Sequence, residues 1–379
     1  MNFVAVDLGA SSTRYTSDSG KISVLPNNMV ILEPDARVDI QPYNDQIESA
    51  LEVIIRKEGD SEFFPVKALI GQMAEGYSTN NERPSMLESK HKQRINYISA
   101  ITAAAISRIK HDISDDICLY VALPPIEVKT AKDTVKSNFL GKYNVELPKY
   151  GGGVDVTVNI IDVECYEESF MAMLSYFFEM NGVPKEESKK YMTGNILSLD
   201  IGASTTDVAV VTDGRYLDKS GRTYKTGGNI ARDTLIDLIS GKYSFEPSLI
   251  GAEQAMSEGR LQMGNTYVNI SEEVAIAKME CAKGIATSMQ TYFRSIGIPI
   301  QSIRAIIVSG GGSMHSQYVN EDGEVIVTSE PMSKYITEAF KEICDGVVVE
   351  SYGGSPRTAN ISGLFIRAKV DMKKRAQAV

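Results

Sequence analysis

A chain of 379 residues, 43% hydrophobic and 23% charged, is long enough for two core-bearing domains. Its net charge of −10 and pI near 5.1 argue against a duplex-binding surface, which needs clustered Lys and Arg, so any DNA role is expected to be indirect, through an adaptor. The scattered cysteines Cys118, Cys165, Cys281 and Cys344 form no CxxC pair and lie far from His91, His111 and His315, which argues against a disulfide framework or a zinc site. Met1 leads directly into the apolar stretch 3–6 without room for a signal peptide, and no stretch approaches the ~20 apolar residues of a membrane span. The expectation is a cytoplasmic protein with no membrane contact.

In chain order, residues 2–7, 12–16 and 21–25 read as three short strands, with Asp18-Ser19-Gly20 in a tight turn. A helical pattern follows at 46–56, a strand at 66–70, a long helix at 93–109 and a buried strand at 117–123 that stops at Pro124-Pro125. The Val- and Ile-rich segment 154–163 predicts a strand, and 167–180 a helix with Phe170, Leu174, Phe177 and Phe178 on one face. The polar stretch 181–194, with Gly182 and Pro184, reads as a connector. Beyond it the opening arrangement recurs: strands at 195–200, 206–211 and 215–217, with Asp213-Gly214 in the turn. Helices are predicted at 229–239 and 271–293, a strand at 305–308, and a last helix from Ala359 into the basic Lys373-Lys374-Arg375. Alternating helices and strands indicate layered α/β structure.

The repeated unit carries the chemistry. In Val6-Asp7-Leu8-Gly9-Ala10-Ser11-Ser12-Thr13 an apolar strand delivers an acid to a turn in which Gly9 admits close backbone approach, and Ser11, Ser12 and Thr13 supply hydroxyls and N–H groups for phosphate oxygens. A carboxylate beside polyphosphate is repulsive unless a cation intervenes, so Asp7 is read as holding Mg²⁺ through water. Leu199-Asp200-Ile201-Gly202-Ala203-Ser204-Thr205-Thr206-Asp207 has the same construction, with Asp200 in the same metal role and Asp207 either near the metal or orienting loop hydroxyls. A third glycine feature, Val308-Ser309-Gly310-Gly311-Gly312-Ser313, follows an apolar strand and leaves three positions without side chains, where a purine or its α-phosphate can lie flat.

These motifs, in this order, resemble the phosphate 1, phosphate 2 and adenosine motifs of the actin, Hsp70 and sugar-kinase superfamily, and the resemblance spans nearly the whole chain. It implies an α/β protein of two similar ribonuclease-H-like (actin-fold) domains flanking a cleft for ATP and Mg²⁺; a glycine loop against a purine's face does not by itself discriminate against GTP. Domain I is expected over 1–185, completed by a C-terminal helix at 358–379, and domain II over 186–357. In this superfamily a Glu or Gln on the helix between the phosphate motifs positions the attacking water. Glu168 in Glu168-Ser169-Phe170-Met171-Ala172 matches the Glu-Ser-x-x-Ala of ParM-type plasmid-segregation actins, although the usual preceding proline is missing and Glu164 and Glu167 remain alternatives. Thr226-Gly227-Gly228-Asn229 resembles the Gly-Gly segment after phosphate 2, from which Gly228 is taken as a binding residue, and Glu280 and Lys283 match a Glu-x-x-Lys that approaches the ribose and base. Residues 356–363 resemble the second interdomain connection, where Ala and Gly permit close packing.

The resemblance thus implies an ATPase that polymerises into a homopolymeric filament and engages centromeric DNA through a ParR-like adaptor. A small-molecule kinase of the same superfamily, an MreB-like cytoskeletal filament and a nonhydrolysing nucleotide-binding scaffold are the competing readings.

Overall fold

The computed structural model describes residues 2–39, 47–77, 82–85, 88–114, 116–217, 219–344, 346–352 and 354–377. The chain divides into two compact units, Met1–Val183 with Asn360–Val379, and Pro184–Ala359.

In the first unit the elements are β1 (Asn2–Leu8), β2 (Ser12–Ser17), β3 (Ser23–Pro26), β4 (Met29–Leu32), β5 (Ala50–Lys57), β6 (Val66–Gly71), α1 (Gln72–Tyr77), α2 (Arg94–His111), β7 (Asp116–Leu123), α3 (Pro125–Phe139), β8 (Gly141–Leu147), β9 (Val154–Glu167) and α4 (Glu168–Phe177). One sheet runs β3-β2-β1-β7-β9-β8-β5-β6-β4, with β1, β7 and β9 parallel and the other pairings antiparallel. Strand alternation sends Val4, Val6 and Leu8 to a core shared with α2, while Phe3 and Ala5 face the opposite layer with Met171 of α4 and Ile361, Leu364 and Phe365 of the C-terminal helix (Ala359–Gln377). Parallel strands buried on both faces read as continuous apolar runs, which is why β1 and β7 are legible in the sequence.

The helix expected at 46–56 is instead the strand β5, Gln46 itself lying outside the described residues. Val53, Ile54 and Ile55 are β-branched, Leu51, Val53 and Ile55 alternate along the strand into the core shared with α2, and hydrogen bonding to β6 and β8 fixes the segment on both sides. Glu52, 5% exposed, meets Lys67 of β6 at 3.1 Å.

The second unit contains β10 (Asn195–Ile201), β11 (Thr206–Thr212), β12 (Arg215–Tyr216), β13 (Arg222–Tyr224), α5 (Gly228–Tyr243), α6 (Leu249–Glu258), β14 (Arg260–Met263), β15 (Thr266–Asn269), α7 (Ser271–Ile296), β16 (Ile303–Ser309), β17 (Ser316–Val319), β18 (Val325–Ser329), α8 (Met332–Lys341) and β19 (Val348–Ser351). Its sheet runs β12-β11-β10-β16-β19, with β13 also paired to β11. The antiparallel β10–β11 and parallel β10–β16 pairings repeat the β1–β2 and β1–β7 pairings of the first unit. Two hairpins, β14–β15 and β17–β18, stand apart from that sheet. No described helix is long and apolar enough to cross a membrane.

Lys278 of α7, 4% exposed, ties the second hairpin to the helix: its ammonium donates to Ser329 Oγ at 2.7 Å, Ser316 Oγ at 3.2 Å, and the carbonyls of Met314 and Glu330 at 3.1 Å. Burial pushes its pKa down from 10.5 to about 8. Below pH 8 folded and unfolded chains both carry the proton and the desolvation penalty is fully present. Between pH 8 and 10.5 the unfolded chain holds more protons, so this group makes stability rise with pH. Relative to Lys278→Met, the wild type should gain about 2 kcal/mol between pH 8 and 10, read from urea unfolding at each pH. A pH-independent difference would refute the assignment.

Candidate nucleotide site

In the first unit β1 carries Asp7, 5% exposed, to the turn into β2. Burial pushes the Asp7 pKa up, and the cations of Lys90 and Arg14 act against that shift. A Cβ at Gly9 would lie 2.7 Å from the carbonyl oxygen of Ser12, so the turn excludes any side chain there. Ser11 is exposed and Ser12 half-buried. Thr13 is turned inward, where its hydroxyl donates to Asn27 Oδ1 at 2.9 Å, making it a support of the loop rather than part of its open side.

Asn27, fully buried just after β3, is the hub beneath this loop, and the sequence reading missed it. Its side-chain amide donates to Gly9 O at 2.5 Å, its backbone N–H to Ser11 O at 3.1 Å, and its Oδ1 also accepts from Ser99 Oγ of α2 at 2.9 Å. Asn27→Ala orphans these groups inside the unit. It should cost about 2–3 kcal/mol, seen as a lower urea midpoint, and an unchanged midpoint would show that the network does not hold the loop.

Glu168 is the first residue of α4, where β9 ends, and is 6% exposed. Its carboxylate accepts from the ammonium of Lys90, the same cation that acts on Asp7. Of the alternatives, Glu164 is taken up by Lys136 at 3.2 Å and Arg375 at 3.0 Å, whereas Glu167 is buried at the end of β9 in register with Leu123. Lys90 had no signal in the sequence, because it lies in a single 3₁₀ turn far from any motif.

In the second unit Asp200, also 5% exposed, lies near the end of β10, and Gly202 N–H donates to Thr205 O at 2.8 Å to close the turn into β11. Thr206 donates to Thr226 O at 2.5 Å, and Ser204 Oγ accepts from Asn229 Nδ2 at 3.1 Å. The start of α5 is locked to the same loop by Gly228 N–H to Gly202 O at 2.9 Å and Asn229 N–H to Ala203 O at 2.6 Å. The closest approach belongs to Gly227, whose Cβ would meet Ser204 C and Thr205 N at 2.6 Å, whereas Gly228 has only ordinary contacts.

Gly310 follows β16 with φ +87°, and a Cβ there would lie 2.4 Å from Ile201 O and 2.5 Å from Asp200 Oδ1. Gly312 also lies against Ile201, while Gly311 has room for a side chain. Asp200, Gly202 and the glycine triplet are thus brought together in one unit, with Ser309 Oγ donating to Asp200 Oδ1 at 3.4 Å. Asp207 accepts from Thr223 Oγ1 at 2.5 Å and serves the pairing of β11 with β13. Glu280 and Lys283 pair with each other at 2.9 Å on the exposed face of α7, while the buried Cys281 between them meets Gly227 O at 3.4 Å.

The donor set suits Mg²⁺ in one way only. Among the described residues no group of three or more His, Cys, Asp or Glu could hold a metal ion. One buried aspartate beside a glycine turn at a strand end in each unit, Asp7 and Asp200, fits an ion that draws most of its ligands from water and phosphate oxygens.

Repeated β–β–β pairing, buried acids at the strand ends and glycine turns define the actin fold. Residues 198–318 match the family described as archaeal actin homologue MreB-like, C-terminal. Over its whole length the chain is similar to the archaeal actin homologue Ta0583, with 18% identity, TM-score 0.69, and coverage of 98% of this chain and 100% of that one. It is similar to the actin-like protein Alp7A, with 16% identity, TM-score 0.71, and coverage of 99% and 97%. It also resembles Bacillus thuringiensis ParM solved with ATP, with 15% identity, TM-score 0.65, and coverage of 98% and 99%. No curated protein sequence matches. The resemblance to ParM-like actins drawn from the motifs is therefore borne out, and the expected actin fold is the fold observed.

Proposed function

We propose that this chain binds ATP with Mg²⁺, hydrolyses it to ADP and phosphate, and couples that cycle to assembly of a homopolymeric filament. The observation that carries the reading is the recurrence, one per unit, of a buried aspartate at a strand end beside a glycine turn that a Cβ would obstruct. Bacillus thuringiensis ParM, of the same fold, has been solved with ATP, ADP and AMPPNP, which supports a nucleotide as the ligand. GTP fits the same glycine surfaces.

In this reading Gly9, Ser11, Ser12, Gly202, Ser204 and Thr205 offer N–H groups and hydroxyls to the phosphates. The segment Gly310–Gly312 accepts the nucleoside end. Bound Mg²⁺ supplies charge neutralisation on the phosphate chain. Glu168 orients a water for in-line attack, the one task of phosphoryl transfer to water that needs a general base or water-positioning group. Segregation of DNA through a ParR-like adaptor is the use we assign to the filament, the protein being too acidic to serve as the DNA-binding partner.

Sedimentation with ATP and Mg²⁺ tests the reading. The wild type should pellet with ATP and release free phosphate without any added acceptor. Asp200→Asn should weaken Mg²⁺-dependent nucleotide binding about 10- to 100-fold and stop pelleting. Phosphate release that requires an acceptor alcohol would instead make the chain a kinase, and no nucleotide-dependent pelleting across a wide protein range would remove the filament.

A further inference from the structure

Lys90 and His91 are held by side chains from two helices. The backbone N–H of Lys90 donates to Glu127 Oε1 at 2.8 Å and the N–H of His91 to Glu127 Oε2 at 2.9 Å, with His91 Nδ1 2.7 Å from the same oxygen. The carbonyl of Lys90 accepts from Asn96 Nδ2 at 3.0 Å, and the carbonyl of His91 from the Tyr97 hydroxyl at 2.8 Å. Two helices, α3 through Glu127 and α2 through Asn96 and Tyr97, thus fix the root of a side chain whose ammonium is bonded to Glu168.

A lysine normally keeps its head in water on a flexible stem, and an isolated ion pair between partly buried groups is weak evidence for a stabilising role. Here Glu127, 5% exposed, is committed to the two backbone N–H groups and the ring of His91, and its effect is to aim one ammonium. That ammonium lies at the start of α4 on the one carboxylate of this stretch that the hydrolysis reading needs, and it also bears on Asp7.

We propose that Lys90 is the positioning residue for Glu168: its ammonium holds Oε1 and thereby fixes the plane in which the carboxylate meets water, with Glu127 as the seat of Lys90. The proposal rests on the hydrolysis reading above and assigns a residue that no motif marks. Lys90 acts through Glu168, so its removal should affect turnover rather than nucleotide affinity.

The test is steady-state ATP turnover and nucleotide binding for Lys90→Met, Lys90→Arg and Glu127→Gln, each also in a Glu168→Gln background. Lys90→Met should lower kcat about 10- to 100-fold with KM nearly unchanged, a loss of the size that misplacing one group produces. Lys90→Arg should restore most of it, since a guanidinium also binds a carboxylate. Glu127→Gln should give an intermediate loss and serves as the reading if Lys90→Met does not fold. In the Glu168→Gln background Lys90→Met should lower kcat no further.

Unchanged kcat in Lys90→Met, or an equal loss with and without Glu168, would overturn the proposal. A wild-type chain that binds ATP but releases no phosphate would overturn the hydrolysis reading first, and the positioning role with it. The two failures are distinguished by whether the unmodified chain turns over.

Discussion

Glu168→Gln is expected to lower phosphate release from ATP by about 10²- to 10⁴-fold while leaving nucleotide affinity within a small factor of wild type. The amide has nearly the same shape and still accepts a hydrogen bond, but it carries no negative charge to align and polarise a water. It also leaves the ammonium of Lys90 without its carboxylate at a site where the glutamate is only 6% exposed. Binding should survive because the groups assigned to the phosphates lie on the β1–β2 and β10–β11 turns, not on α4. Single-turnover phosphate release beside a fluorescent-nucleotide titration separates the two quantities. Glu164→Gln is the internal control and should lose little, since that carboxylate is engaged by Lys136 and Arg375. Full activity in Glu168→Gln with loss in Glu167→Gln would move the role to the neighbour buried at the end of β9.

Gly363→Ala should destabilise the first unit by about 2–3 kcal/mol, although alanine is the better helix former by about 1 kcal/mol. A Cβ at this position would lie 1.7 Å from the carbonyl oxygen of Met171 and 2.5 Å from its carbonyl carbon, so the C-terminal helix and α4 touch backbone to side with no room for a methyl. Ile361 and Leu364, both fully buried, flank the contact and prevent the helix from sliding away without opening the core. The paired control is Gly284→Ala in α7, where nothing lies within 4 Å, and which should be neutral or stabilising. Urea unfolding of the two variants decides the point. Equal behaviour of Gly363→Ala and Gly284→Ala would mean that the two helices do not pack as described.

Most of the parallel strands were readable because their burial on both faces leaves continuous apolar runs, as in β1, β7, β10 and β16. Segment 50–57 was misread because its pattern suits a helix or a half-buried strand, and only its neighbours β6 and β8 decide between them. The hairpins β14–β15 and β17–β18 and the strand β19 are short and mixed in polarity, β4 is apolar but only four residues long, and β8 interleaves polar and apolar residues, so none of them is marked in the sequence. Within the glycine motifs the sequence pointed to Gly228, but the close approach is made by Gly227, since steric demand depends on where the facing backbone runs.

What the amino-acid sequence by itself determined is the pair of strand–aspartate–glycine turns and the glycine triplet, with the candidate water-positioning carboxylate confined to Glu164, Glu167 and Glu168, because each is local chemistry within one short segment. Asn27 and Lys90 carry no local mark. One acquires its place when the residue after β3 comes beneath the β1–β2 turn, and the other when α2 and α3 clamp a single turn of chain beside α4. Asn27 is 18 residues from Gly9, and Lys90 is 37 from Glu127 and 78 from Glu168. These meetings are products of the strand order β3-β2-β1-β7-β9, which only the folded sheet specifies.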